Sequence, residues 1–323
     1  VYNWALDRRI KEYQSEKKSI SAFTLMTELT QLKKQEEYSW LNLSVAQSLQ
    51  QSIVNMDKAF TRFFKQKRGF PKFKSKHIGT HHVGFPQNTK IDFEGGKVSL
   101  PKLGWVKTKI SREFEGNIKT STIEKTPTNK FFISITVEIQ DINVKQKPIS
   151  KKNAVGIDTG IKTFATLSNG IEIQNPKHLK NSIQRLKVLQ RRASKKQKGS
   201  SNRRKANLKV ALLHERISNQ RLDFLHKTTT AIAKQYDTVA CENLNISGMM
   251  RNHKLAQSIA DLGLGRFYTL MQYKMQEQGG NYLEIGRFEP SSKMCVCGVI
   301  NKELKLSDRT WTCKSCGSIN DRD

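Results

Sequence analysis

From Ala46 to Phe63 the chain places Ala46, Leu49, Ile53, Met56, Phe60 and Phe63 at steps of three and four, with Gln, Asn and Lys between them. That spacing puts the apolar residues on one stripe of an α-helix. Residues 1 to about 67 read as a helical unit built around it, stopped by Gly69 and Pro71, which break helices. From His82 to about Asp141 the period changes to two. In "TPTNKFFISITVEIQ", Phe132, Ser134, Thr136 and Glu138 fall on one face and Ile133, Ile135, Val137 and Ile139 on the other. "KVSLPKLGWVKTKI" alternates in the same way between Gly and Pro punctuation, so a small antiparallel barrel or sheet is expected. "INVKQKPISKKNA" then reads as a linker.

The next segment, "VGIDTGIKTFATLSNG", opens as an apolar strand and then sets Asp158 where another core residue would stand, bracketed by Gly156 and Gly160. A carboxylate left unpaired at the end of a buried strand is costly, so this one either has a partner or holds something. The pattern recurs at "DTVACENLN", where Thr238 to Cys241 run into Glu242, and a last acidic cluster, "NDRD", carries Asp321 and Asp323. Between the two strand-end acids, Lys177 to Lys209 contains thirteen Lys or Arg and no acid. Ile183, Leu186 and Leu189 keep a helical stripe, "KKQKGSSNRRK" interrupts it, and Leu208 to Leu225 resume it. Two antiparallel helices joined by a basic turn are expected.

Composition sharpens this picture. The chain carries 57 Lys plus Arg against 28 Asp plus Glu, a formal charge of +29. Such an excess repels itself unless a polyanion neutralises it, which points to nucleic acid. Candidate contacts are Lys72, Lys74 and Lys76, interleaved with Phe70 and Phe73, and on the hairpin Arg185, Arg191, Arg192, Lys195, Lys196, Arg203 and Arg204. Aromatics among cations suit bases beside a phosphate backbone, although the two Phe residues would equally plug the domain beneath them. The hairpin is expected to hold phosphates without reading bases. No window offers the roughly 18 to 20 apolar residues of a membrane span, and no signal peptide is visible. A cytoplasmic, nucleoid-associated protein is expected.

Each acid alone would be an ordinary turn or cap residue. Together, two strand-end carboxylates and a terminal acid supply what two-metal phosphodiester hydrolysis requires, with Mg²⁺ as the fitting ion because it takes hard oxygen ligands. The cysteines suggest a second metal. Five thiols in a lysine-rich chain argue against disulfides, and four of them crowd into "KMCVCGVINKELKLSDRTWTCKSCG". Cys313 and Cys316 form Cys-x-x-Cys, and a 15-residue insert separates them from Cys295 and Cys297. That layout matches a zinc ribbon, whose tetrathiolate Zn²⁺ would be structural. With only Val296 inside the first pair, its turn and the amide donors to its thiolates are expected to be lost and zinc to be held more weakly.

Taken together, "VGIDTGIKTFATLSNG", "VACENLN", "RFEPSSKMCVCG", "TWTCKSCG" and "INDRD" resemble the TnpB (OrfB) proteins of bacterial insertion sequences, compact relatives of the type V CRISPR nucleases. The likeness extends upstream through "YNWALDRRI", "ELTQLKKQEEYSWL", "SLQQSIVNMDKAFTRFF" and "GFPKFKSK", essentially the whole chain. The resemblance implies a multidomain α+β protein. A helical recognition lobe would span 1–67 and a wedge-like β-barrel 68–150, lacking its first strand. An RNase H-like (RuvC) nuclease domain would span 151–287, with the basic hairpin at about 177–230. A zinc ribbon would occupy 288–320, and the last RuvC motif would begin at 321–323 and be cut short there. It further implies an RNA-guided, Mg²⁺-dependent DNA endonuclease, of the type called a transposase, with a guide RNA from the element end and double-stranded target DNA as partners. Asp158 matches the first catalytic acid and Glu242 the second, while Asp323 matches the third better than Asp321 does. The alternative is a nuclease-inactive descendant that binds RNA and DNA as a repressor or a decayed fragment. A generic zinc-ribbon DNA-binding factor would need neither Asp158 nor Glu242.

Overall fold

The computed structural model describes residues 1–75, 81–139, 144–286, 293–295, 297–304, 308 and 310–321. It divides into two compact units, Val1–Ile142 and Asn143–Asp323. The expected boundary at 287/288 falls outside the described residues.

The first unit begins with helices α1 (Tyr2–Glu16) and α2 (Ala22–Leu32), a 3₁₀ helix at Glu36–Leu43, and α3 (Ala46–Gln66). Ser21 caps α2 by accepting from the Thr24 amide, one of the orphan donors of a helix start. The predicted stripe of α3 is the core: Ile53, Met56 and Phe60 are buried with Ala5, Leu6, Leu25 and Leu29. Arg9 reaches across, its guanidinium 4.4 Å from the Phe60 ring centroid and 2.6 Å from Asp57.

Strands β1 (His81–Phe85), β2 (Lys90–Asp92), β3 (Lys97–Leu100), β4 (Gly104–Lys107), β5 (Asn117–Lys125) and β6 (Phe131–Glu138) follow. Ile133 packs on the Phe85, Val98 and Leu100 core, while Phe132, Ser134, Thr136 and Glu138 on the other face of β6 are exposed. Among the described residues the expected closed barrel is not formed. The strands make two three-stranded antiparallel sheets, β1-β5-β6 and β2-β3-β4. A barrel needs one continuous ladder of hydrogen bonds, and among the described residues none joins β4 or β6 to the other sheet.

The second unit is built on a five-stranded sheet. Strands β7 (Ala154–Thr159), β8 (Thr163–Leu167) and β9 (Glu172–Gln174) form an antiparallel meander. Helices α4 (His178–Ser194) and α5 (Ser201–Gln235) then lead to β10 (Thr238–Glu242), which returns parallel to β7. Helices α6 (Ile246–Met249), α7 (Ala256–Leu262) and α8 (Leu264–Glu277) lead to β11 (Asn281–Ile285), parallel to β10. The order is β11-β10-β7-β8-β9, with helices supplying the crossovers that parallel strands require. Val155, Ile157, Val239 and Cys241 bury one sheet face together with Leu225 and Ile232 of α5 and Phe267 and Met271 of α8.

The predicted helical hairpin is present, but its basic turn is shorter than expected. The Ser200 side chain caps α5 by accepting from the Arg203 amide, so Arg203, Arg204 and Lys205 are helical. Near the end of the chain, β12 (Thr310–Thr312) pairs with β13 (Ile319–Asp321). None of the described helices is long and apolar enough to cross a membrane.

Candidate functional site

The two strand-end acids stand on neighbouring strands. Strands β7 and β10 pair in parallel with Ile157 opposite Cys241, so Asp158 and Glu242 are the residues that follow this last registered pair on the two strands. Val155, Ile157, Val239 and Cys241 point into the core, so the period of two turns both carboxylates to the other face. Both residues are half-buried. Gly160 lets the chain leave β7 sharply, since a Cβ there would stand 3.1 Å from the Thr163 carbonyl oxygen. Two hard oxygen donors on adjacent parallel strands fit a divalent cation such as Mg²⁺.

Tyr268 of α8 adjoins this pair, and nothing in the sequence marks it. Its hydroxyl shares a 2.7 Å hydrogen bond with Thr159 Oγ1, on the residue after Asp158. Burial pushes the phenol up to about 12, with Cys241, Glu242 and Asp158 adding to the rise. It therefore stays protonated at neutral pH. Asp261 of α7 is also undetectable from spacing. Its carboxylate accepts from the backbone amides of Leu179 (3.0 Å) and Lys180 (3.2 Å) and pairs with Arg221 at 3.2 Å. A buried acid thereby anchors the N-terminal end of the basic helix α4.

The third acid is only partly described. The backbone of Asp321 pairs with Thr310 in the β12–β13 ladder, and Asp323 lies outside the described residues.

The four predicted cysteines do converge. Their sulfurs all lie within 4.8 Å of one another, with Cys295 3.5 Å from Cys316 and Cys297 3.7 Å from Cys313. A tetrahedron with Zn–S arms of about 2.3 Å has edges of about 3.8 Å, so the donor set fits Zn²⁺. The Ser315 amide donates to Cys313 Sγ at 3.4 Å, and the amides of Cys297, Val299 and Ser318 favour the thiolate forms of Cys295, Cys297 and Cys316.

This corrects the expectation that the short pair forfeits its turn and its donors. The Gly298 amide closes a turn onto the Cys295 carbonyl at 2.8 Å, with Gly298 at φ +85°. In the second knuckle, Gly317 at φ +70° closes onto Cys313 at 2.9 Å. The glycine after each pair makes the turn, so the missing spacer residue is tolerated. Ser318 Oγ lies 3.0 Å from Cys295 Sγ and 3.2 Å from Cys316 Sγ, and Asn320 Nδ2 donates to Cys295 Sγ at 3.6 Å. The Cys297 amide first, then Ser318, holds the Cys295 thiol down to about 6. The Val299 amide favours the Cys297 thiolate, but the neighbouring sulfurs outweigh it and push that thiol up to about 12. Four sulfurs converging on one spot form a donor set that a cation could occupy. The fifth cysteine, Cys241, is fully buried and pushed up to about 12 by that burial, an inert core thiol.

The candidate nucleic-acid contacts divide. Arg185, Arg191, Arg192, Lys195, Lys196 and Arg204 are exposed, whereas Arg203 is half-buried and donates to the Lys196 carbonyl at 2.8 Å. In the first unit Lys72 is exposed, Lys74 Nζ sits 4.2 Å above the Tyr2 ring, and Lys76 lies outside the described residues. Both phenylalanines are exposed, Phe70 to 48% and Phe73 to 57%, and Phe70 also packs edge-on against Phe60 and Phe63, each at 5.4 Å.

Comparison with known proteins gives consistent matches. The OrfB_IS605 family model, described as "Probable transposase", matches residues 134–253, and a Cas12f1-like TNB domain model matches residues 265–323. A Streptomyces pristinaespiralis protein provisionally named as an RNA-guided DNA endonuclease is 35% identical over 100% of this chain and 80% of its own length. The provisionally named RNA-guided DNA endonuclease InsQ of Escherichia coli K12 is 31% identical over 97% of this chain and 81% of its own. Among solved structures, Cas12f1 in a complex with sgRNA and target DNA superposes with a TM-score of 0.55 at 14% identity, covering 98% of this chain and 77% of that one. At that identity the likeness is one of fold.

Proposed function

Because the chain belongs to the TnpB (OrfB) family of insertion-sequence proteins, we propose that it is a guide-RNA-directed DNA endonuclease that hydrolyses phosphodiesters with divalent metal. The observation that carries the reading is that Asp158 and Glu242 each follow the last registered pair, Ile157 and Cys241, of two adjacent parallel strands. The sheet order, an antiparallel meander followed by two parallel strands, is that of an RNase H-like (RuvC) domain, which supports the same reading. Asp158, Glu242 and Asp323 would hold Mg²⁺, which when bound supplies an activated water and charge stabilisation at the leaving oxygen. The protein's own part is to orient these oxygens: buried strands fix the two backbones, and the Thr159–Tyr268 bond holds the end of β7.

Cys295, Cys297, Cys313 and Cys316 would hold a structural Zn²⁺ next to the strand leading to the third acid. The net charge of +29 favours a guide RNA from the element end and double-stranded target DNA as partners. Pairing with the guide would then read sequence and the protein would read backbone shape. Such a protein would work on the bacterial nucleoid.

The deciding experiment is Asp158→Ala in the purified, guide-loaded protein. Cleavage should be abolished while guide and target binding stay within a few-fold of wild type. Cleavage at near wild-type rate would remove Asp158 from the chemistry.

A further inference from the structure

Helix hairpins ordinarily hide their apolar stripe between the helices, and α4 and α5 do so with Leu186, Leu213 and Ile217. Two aliphatics on the same hairpin do not follow that rule. Val188 and Leu212 remain 45% and 44% exposed. With Leu189 and Leu213 they wall a cleft of about 560 Å³, and the rest of the lining is Arg185, Arg192, Lys209 and Arg216. No acid lines it.

We infer that this cleft is a nucleotide pocket, taking one unpaired base of a single-stranded nucleic acid against Val188 and Leu212 while the flanking phosphates lie on the cations. The inference rests on the nucleic-acid-binding reading above and adds a base contact to a surface expected to touch phosphates alone. Four cations around an aliphatic wall suit a ligand that is flat and apolar in its body and anionic at its edges, and a nucleotide has that character. The volume is in the usual range for small-ligand clefts, roughly 300 to 1,000 Å³. Any base has a face to stack, so the pocket is tolerant of sequence. An apolar protein segment would cover the aliphatics and leave four cations uncompensated, which costs free energy.

The test uses the full chain and fluorescently labelled 12-nucleotide probes: oligoadenylate RNA, its DNA counterpart, and the RNA backbone with abasic sites throughout. Affinities are measured across a salt series. Wild type should bind the base-bearing RNA several-fold tighter than the abasic strand. In Val188→Ser/Leu212→Ser that preference should largely vanish with the salt slope unchanged. Arg185→Gln/Arg192→Gln should weaken both RNA strands alike and flatten the slope by about 0.7 per lost phosphate contact.

Val188→Thr, which keeps the shape and adds a hydroxyl, gives a second reading in the same direction if the double variant unfolds. A base preference that survives the aliphatic variants places the stacking elsewhere and overturns the pocket. An equal preference on RNA and DNA assigns recognition to the base and phosphate, and a preference confined to RNA adds the 2′-hydroxyl; either outcome supports the pocket. Absence of any salt-dependent binding would instead overturn the underlying nucleic-acid reading.

Discussion

The Tyr268 hydroxyl and Thr159 Oγ1, 109 residues apart in sequence, share a 2.7 Å hydrogen bond at the end of the strand that carries Asp158. The bond ties α8 to the end of β7, the central strand of the sheet. Tyr268→Phe should therefore reduce stability by about 1 kcal/mol and weaken divalent-metal binding, with nucleic-acid affinity unchanged. Thr159→Val should do the same, and the double variant should be little worse than either single one. Mn²⁺ titration followed by electron paramagnetic resonance reads the metal directly. Unaltered Mn²⁺ binding in both variants would reduce the bond to ordinary packing.

Asp261 links α7 to the start of α4 through two amides and Arg221. Asp261→Ala removes a helix cap and leaves Arg221 without this partner. The expected loss is about 2 to 4 kcal/mol, measured by urea unfolding. Because α4 carries Arg185, Arg191 and Arg192, nucleic-acid binding should fall as well. A variant with wild-type stability would show that the start of α4 is held by other contacts.

The cysteine cluster should retain one zinc per chain through dialysis against a mild chelator, because each sulfur has both an amide donor and a partner sulfur within tetrahedral reach. One residue inserted after Cys295 should bring no gain, since the turn at Gly298 is already closed. Ser318→Ala removes the hydroxyl beside Cys295 and Cys316 and should loosen zinc by about tenfold, the lower end for losing an outer hydrogen-bond partner. Competition with a coloured chelator measures it. Tighter zinc in the insertion variant would restore the view that the short pair is defective.

Asp237 predicts how the second unit responds to acid. Its carboxylate accepts from Lys147 Nζ and Asn153 Nδ2, both at 2.5 Å, and Lys147 first, then Asn153, holds it below the usual carboxylate range. A carboxylate lowered in the folded state contributes stability above its unfolded pKa, and that contribution is lost as pH falls through the folded one. Wild type should accordingly lose stability more steeply below about pH 4 than Asp237→Asn, and the gap between the two should close with acid. Unfolding midpoints between pH 6 and 3 decide it, and parallel curves would contradict the assignment.

Periodicity and residue chemistry alone determined much of this protein. The stripe of α3, the alternation of β6, the acids Asp158 and Glu242 towards the ends of two apolar strands, the basic hairpin and the cysteine module are local patterns, each contained in a few turns or one strand. Neighbouring residues dictate such patterns through backbone geometry, so they can be read in one dimension. The parallel pairing of the strands that carry Asp158 and Glu242 depends on a crossover of two helices, and only the assembled sheet decides it. Tyr268, Thr159 and Asp261 give no sequence signal, because what matters in each is a partner tens of residues away, brought close by packing.

Tertiary structure also decided against two sequence expectations. Among the described residues β1 to β6 form two sheets and no closed barrel, because closure depends on edge pairing between distant strands. The short cysteine pair keeps its amide donors, because the turn is carried by the following glycine at positive φ, a conformation open to glycine without steric cost. Spacing counts residues, and what a metal site requires is where the sulfurs point.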